Sequence, residues 1–395
     1  MKTIVIMLDA FRKDYFSEEK TPFLYSLIKK YGLGDLTPPF GFKTTTGFYT
    51  GFNPKSLNLF TSYIYEKNSR KFSNLNLSLL SFLSNNPAFS LINLLRHFKG
   101  KDIFLPKINL NCLAYFNLMQ DKHFYQENIF QVKTLFDIFR ENNIKYLYYD
   151  FPLIIENSKS RIHYTLKNSD DSRFEKFLGL MKKDYDFYYV HFVDLDSIGH
   201  YKGTNSEELK NHLKKLDKMV EFILSKFNLE EDNILLWSDH GMVDIKNTLD
   251  IKSKLPEFGK GYIYFLDSTM ARFWFFNKEK RKEVLDILKN IKRGRILNKE
   301  DKKKLEIDFN HNLYGDEIFL ANSGTLICPN FFQKNPCKGM HGYDLSDKNE
   351  KTFFIINRKK EKTKNKAEMK DLFSTLLEMM NLKIPENIKG KSLLR

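Results

Sequence analysis

Cysteine is scarce in this chain: Cys112, Cys328 and Cys337 are the only three in 395 residues, and their spacing suits no metal knuckle. An odd, scattered set excludes a disulfide framework and a zinc-finger fold alike. Long apolar runs are also missing. No stretch approaches the roughly 20 uninterrupted apolar residues of a membrane-spanning helix, so none is expected. The apolar part of Met1 to Leu8 is too short for a secretory signal and runs straight into Asp9. A cytoplasmic location is the expectation that follows. No internal repeat is visible.

What is present is an ordinary globular composition, with 42% hydrophobic and 29% charged residues. The length allows one large α/β domain or two domains. A formal net charge of +15 favours anionic partners such as phosphate compounds, nucleic acid or an acidic surface. Much of that charge lies in runs, Lys278 to Lys282, Lys302 to Lys304 and Arg358 to Lys366, which read as solvated faces. The basic residues are dispersed and lack aromatic interleaving along one groove, so a nucleic-acid-binding protein is the disfavoured alternative.

Chemistry concentrates where apolar runs stop. Ile234 to Trp237 reads as a buried strand that ends on Asp239-His240-Gly241, and Ile4 to Leu8 as one that ends on Asp9. A third strand lies within Asp186 to Asp194. Asp196 and His200 follow it, four apart with Gly199 between them, and face one point from a loop or turn. His341 sits in a Gly-flanked loop before a strand over Thr352 to Ile356. Thr44, Thr45 and Thr46 lie between a Gly-Pro-rich loop and a short helical segment, where a helix N-terminus favours a phosphate or a nucleophile. Capping is the plain alternative for these threonines. In open α/β sheets ligands collect outside the carboxyl ends of the strands. Asp9, Asp196, His200, Asp239, His240 and His341 therefore form a mixed carboxylate and imidazole set suited to two first-row cations such as Zn²⁺ or Mn²⁺. Two such ions can stabilise both the attacking and the leaving oxygen of a phosphoryl displacement.

Helices are expected over 21–31, 133–141, from Ser206 onward, 280–291 and 367–380, with a strand over 144–149 and further helices within 72–98. The stripe Leu209, Leu213, Leu216, Val220 and Ile223 reads as core. His191, in a strand interior, and His212 read as packing or surface histidines, and Asp194 as ordering its loop.

These motifs together resemble the alkaline phosphatase superfamily, and within it the type I phosphodiesterase/nucleotide pyrophosphatase enzymes. The matching segments are Val5 to Asp9, Thr50-Gly51 with Pro54, Asp196 to His200, Ser238 to Met242 and Met340 to Tyr343, in the family's order. The closing segment, Ile384 to Leu394, is similar as well. Roughly 55–185 and 245–335 match poorly. The resemblance implies an alkaline-phosphatase-like α/β core, with a mixed, mainly parallel sheet between helices. That core takes 1–244 and 335–395, and 245–334 is an inserted cap. It implies one metal on Asp196, His200 and His341, and another on Asp9, Asp239, His240 and a nucleophilic threonine. The threonine would form a phosphothreonine that a metal-activated water hydrolyses. The substrate would be a small phosphate ester or anhydride.

Two departures stand out. The family's spacing from the Thr-Gly pair would land the nucleophile on Gly41, so a helix shortened by a turn ranks Thr45 first, Thr44 second and Thr46 third. The family's phosphate-binding Asn falls on Ser62, which leaves a phosphomonoesterase or phosphomutase as the runner-up. Arg272 is the candidate contact for a distal anionic group. The sulfatase pattern is absent.

Overall fold

The computed structural model describes residues 1–66, 115–118, 131–150, 153–157, 161–164, 169–358 and 363–394. The helices expected within 72–98 lie outside the described residues. The opening apolar run forms β1 (Thr3–Leu8), and all six of its residues are buried because the strand lies in the middle of a sheet covered on both faces. The other strands of that sheet are β2 (Gly34–Thr37), β3 (Tyr146–Asp150), β4 (Leu153–Glu156), β5 (Arg161–Tyr164), β6 (Phe187–Phe192), β7 (Asn233–Trp237), β8 (Thr352–Ile356) and β9 (Lys366–Glu368). Their order is β9-β2-β8-β7-β1-β6-β3-β4-β5. The sheet is mixed, as expected, with parallel pairing at its centre and between β9 and β2 at one edge. At the centre β7, β1, β6 and β3 run parallel, while β8 pairs antiparallel with both its neighbours, as does β4.

The helices of the described residues are α1 (Pro22–Tyr31), α2 (Thr46–Thr50), α3 (Leu135–Glu141), α4 (Asp170–Leu180), α5 (Asp194–Lys202), α6 (Glu207–Leu224), α7 (Lys278–Lys289), α8 (Lys299–Lys304) and α9 (Met369–Met379). Their limits follow local chemistry. Pro22 opens α1, and Gly32, with φ 92°, closes it. The Ser206 hydroxyl accepts from the Leu209 N–H to cap α6.

Alternation along β1 splits the core in two. Ile4, Ile6 and Leu8 point to the face covered by α1, α4 and α6, where Leu209, Leu213, Leu216, Val220 and Ile223 are all buried. Val5 and Met7 point to the face covered by α2, α3 and α9. Each fully buried aliphatic side chain contributes about 1.5–3 kcal/mol.

Between β7 and β8 the chain builds a second, antiparallel sheet in the order Tyr262–Leu266, Met270–Phe275, Glu317–Ala321, Gly294–Ile296. It has its own aromatic core around Phe265, Phe273 and Trp274, onto which Val284 and Leu288 of α7 pack. No helix of the described residues is long and apolar enough to cross a membrane.

Candidate active site

The site begins as a row across four neighbouring parallel strands. In register, Met7 lies beside Trp237 on one side and His191 on the other, and Tyr149 lies beside Val190. Side chains repeat every second residue along a strand. Met7 is therefore followed on its face by Asp9, Trp237 by Asp239, Tyr189 by His191, and Tyr148 by Asp150. Asp239, Asp9, His191 and Asp150 form the polar end of that face. Asp9 Oδ2 accepts from His191 Nε2 at 3.0 Å, and Asp150 Oδ1 from His191 Nδ1 at 2.7 Å.

Asp196 and His200 stand one turn apart on α5, not in the loop or turn expected. The helix begins directly after β6, and i,i+4 spacing puts both side chains on one face. His200 Nε2 lies 3.2 Å from Asp196 Oδ1, and its Nδ1 lies 2.8 Å from the Gly339 carbonyl. The segment between β7 and β8 leaves and returns through a two-residue antiparallel pairing of Val243–Asp244 with Gly339–Met340. That neck brings His341 back to His240, and the rings stack with centroids 3.6 Å apart and planes 9° from parallel. The Glu350 carboxylate accepts from the Gly342 and Tyr343 N–H groups and holds the returning loop. Gly241 is required by space: a Cβ there would sit 1.7 Å from the Asn349 carbonyl oxygen.

Two candidate ligand groups share His240. Asp196, His240 and His341 offer atoms all within 4.8 Å of one another, and so do Asp9, Asp239 and His240. The charges are poorly balanced by the protein alone. Burial and the neighbouring Asp9 push Asp239 up to about 7. Burial pulls His240 down, but Asp239, Asp9 and Asp196 outweigh it and raise it to about 9. Burial and the facing His240 hold His341 well below its ordinary value. Burial opposes ionisation of Asp196, but its bond to His200 wins and lowers it. Asp9 Oδ1 and His341 Nδ1 are buried with no hydrogen bond, and His200 is the neighbour of Asp196 Oδ1. An orphaned acceptor and an orphaned ring nitrogen at one site fit a divalent cation with nitrogen and oxygen ligands. All six residues expected as ligands gather at this site.

The threonines separate clearly. The Thr44 hydroxyl is buried and donates to Asp239 Oδ2 at 3.4 Å. Thr46 Oγ1 turns back to the Lys43 carbonyl. Thr45, ranked first from the sequence, is the N-cap residue of α2 and makes no side-chain capping bond. Only Thr44 of the three hydrogen-bonds to a carboxylate of the ligand set. Phe48 of α2 stacks on Trp237 at 4.7 Å, which fixes this short helix over β7.

A cleft of ≈ 410 Å³ opens beside His200 and His341, lined in part by Phe42, Ser62, Tyr201 and Phe332. Ser62 is thus at the cleft. Arg272 is not available to a substrate. It is fully buried, pairs with Asp267 at 2.8 Å, donates to the Tyr63 carbonyl and lies over the Phe265 ring. The alternation of Met270–Phe275 turns Arg272 into the interior, which a reading by charge alone overlooks.

The residue at the site that sequence reasoning missed is His191, read as packing, which bonds Asp9 and Asp150. The available signal was its position two residues after Tyr189, matching Asp9 after Met7. His212 and Asp194 both bond to Asp170, and the three form a further group of potential ligands away from the six expected ones. Asp170 accepts from His212 Nε2 and from the Val193 and Asp194 N–H groups at the start of α5.

Comparison with known proteins gives the family and the fold. The family model described as type I phosphodiesterase / nucleotide pyrophosphatase matches residues 3–344. The 2,3-bisphosphoglycerate-independent phosphoglycerate mutase of Pyrococcus abyssi is 37% identical over 67 residues, 16% of this chain and 16% of its own length. That of Thermococcus gammatolerans is 34% identical over 74 residues, 18% of this chain and 17% of its own. The chain therefore matches only about a sixth of these relatives' length. Human ectonucleotide pyrophosphatase/phosphodiesterase 5 superposes with a TM-score of 0.70 at 16% identity, over 99% of this chain and 97% of that one. The murine protein gives 0.70 at 16% identity over 98% of each, and it has also been solved in an inactive form in complex with AMP. At that identity the likeness establishes the fold, which is alkaline-phosphatase-like.

Proposed function

The chain belongs to the type I phosphodiesterase/nucleotide pyrophosphatase family and is a hydrolase of that kind, and from that premise we propose that Thr44 is its nucleophile, acting with two divalent cations, Zn²⁺ or Mn²⁺, on a small phosphate ester or anhydride. The observation that carries this reading is the Thr44 hydroxyl at 3.4 Å from Asp239 Oδ2. Asp239, Asp9 and His240 would hold one cation, and Asp196, His200 and His341 the other, with His240 near both. Bound cations supply a lowered pKa for the threonine hydroxyl and charge neutralisation on the phosphoryl oxygens.

The residues define the rest. Thr44 Oγ attacks phosphorus, its proton leaves toward Asp239, and the P–O bond to the departing alcohol or phosphate breaks. The product is a phosphothreonine. Water then attacks that phosphorus, the Thr44 Oγ–P bond breaks, and the hydroxyl regains a proton. Ser62 offers one hydroxyl donor to a phosphoryl oxygen from the cleft wall. Phe42, Tyr201 and Phe332 suit an aromatic group on the ester, and the AMP held by the murine relative supports a nucleotide-like substrate. We assign residues 1–244 and 335–395 to the catalytic core and 245–334 to an inserted cap. Cys328 and Cys337 are free thiols, in keeping with the reducing cytoplasm.

The short matches to phosphoglycerate mutases favour one second reading, transfer of the phosphoryl group to another hydroxyl instead of to water. Metal-stripped protein given back Zn²⁺, Mn²⁺ or Mg²⁺ and assayed on bis-p-nitrophenyl phosphate and p-nitrophenyl phosphate separates these readings. Diester cleavage that depends on metal is expected. Thr44→Ala should lower kcat by at least about 10³-fold, and Thr45→Ala by less than about tenfold. The opposite order would remove Thr44 from its role.

A further inference from the structure

The two oxygens of Asp9 differ. Oδ2 accepts from His191 Nε2 at 3.0 Å, whereas Oδ1 is buried with no hydrogen bond and lies 3.4 Å from His240 Nε2. His191 is itself held from behind, its Nδ1 donating to Asp150 Oδ1 at 2.7 Å. The other oxygen of Asp150 accepts from the Tyr148 hydroxyl at 3.0 Å. Tyr49 donates to the Tyr148 hydroxyl oxygen at 2.8 Å, and the Tyr189 hydroxyl lies 3.2 Å from Tyr49. Tyr49 belongs to α2, the helix that begins just after Thr44 and Thr45.

The chain of contacts is thus continuous: Asp9, His191, Asp150, Tyr148, Tyr49. It crosses three adjacent strands and ends on the helix beside the threonines. Packing alone needs no such charges, since Tyr148 and Tyr189, one step back along the same face, stack as neutral rings at 4.7 Å.

We infer that His191, Asp150 and Tyr148 form a positioning relay that fixes the Asp9 carboxylate and ties its orientation to α2, the helix that follows the nucleophile's loop. The inference rests on the reading of Asp9 as a metal ligand. Binding through Oδ1 needs the carboxylate plane held, and a donor locked on Oδ2 holds it. Partners of this kind behind a ligand typically account for about 10- to 100-fold in metal affinity.

The test is competitive titration of Zn²⁺ into the metal-stripped full-length chain against a chromophoric chelator, with thermal melting of each metal-free variant alongside. Wild type should take up two equivalents. His191→Phe should weaken one equivalent by about 10- to 100-fold and leave the other within about twofold. Asp150→Asn, nearly isosteric and safe should the Phe variant not fold, should weaken the same equivalent by a smaller factor. Tyr148→Phe should have the smallest effect. Loss confined to one equivalent is what a general structural defect would not produce. Wild-type affinity at both equivalents in Asp150→Asn would overturn the relay while leaving the metal reading intact, and so would equal weakening of both. A wild-type chain that takes up no metal would overturn both.

Discussion

Replacing Asp239 by Asn should make the metal-free protein more stable while abolishing its activity. Asp239 and Asp9 offer ligand atoms within 4.8 Å of each other, and Asp239 is almost wholly buried. Two unit charges at that distance repel by roughly 3.5 kcal/mol at an effective dielectric of about 20. The raised titration of Asp239, up to about 7 from 3.8, corresponds to a penalty of roughly 4 kcal/mol once the group is ionised. Positive charge on His240 and His191 is already included in that balance, and a net gain of about 2–4 kcal/mol is the working figure. The sign follows from linkage. A carboxyl whose folded pKa is raised stabilises the fold fully below about pH 4, and that stability is lost as pH rises through about 7. Asn cannot ionise, so the variant escapes the loss. For a chain of 395 residues this amounts to roughly 2–5 °C in Tm. Calorimetry in excess chelator at pH 8 should show the variant melting higher, and at pH 4 the two should coincide. With Zn²⁺ present the order should reverse, because only wild type gains fully from the cation. A variant that melts at or below wild type at pH 8 in chelator would refute the crowding argument.

Two further substitutions probe the frame around the site. Arg272→Ala leaves Asp267 buried without its partner and should cost about 3–5 kcal/mol by urea denaturation, with KM unchanged in the folded protein; a raised KM at unchanged stability would return Arg272 to the substrate. Gly241→Ala drives a Cβ into the Asn349 carbonyl, a backbone group that cannot step aside, and should lower stability by at least about 3 kcal/mol, read as a shifted urea midpoint.

The fold was legible wherever burial and capping leave a local mark. β8 is found over Thr352–Ile356 as expected, and α1 runs from Pro22 to Tyr31 between its Thr21 cap and Gly32. The ends of α7 and α9 shifted by a residue or two, although Asn277 caps α7 and Glu368 with Asp371 forms a capping box on α9. The antiparallel pairings of β8 and β4 in the main sheet were not legible, because strand direction is set by connections and not by the apolar pattern of each strand. The same holds for Asp196 and His200: a Gly between them suggested a turn, yet the hydrogen bonds of α5 continue through Gly199. There a Cβ would lie 3.2 Å from Met242, so the glycine serves close packing instead of chain reversal.

At the site, ligands announced themselves by following apolar runs, but their roles depend on register. His191 looked like core because its strand continues one residue beyond it, to Phe192. In a parallel sheet the decisive quantity is depth relative to the neighbouring strands, and His191 sits level with Met7 and only one face-step behind Asp9. A polar residue at that depth, two after an aromatic, belongs to the same face as Asp9 and Asp239, one step behind them. The threonines teach the complementary point. Counting back along a helical face from Gly51 selected Thr45, which assumes that the helix extends to the nucleophile. Regular α2 starts only at Thr46, so the residue reaching Asp239 is set by the loop geometry before it, and a helical count cannot carry past the first turn.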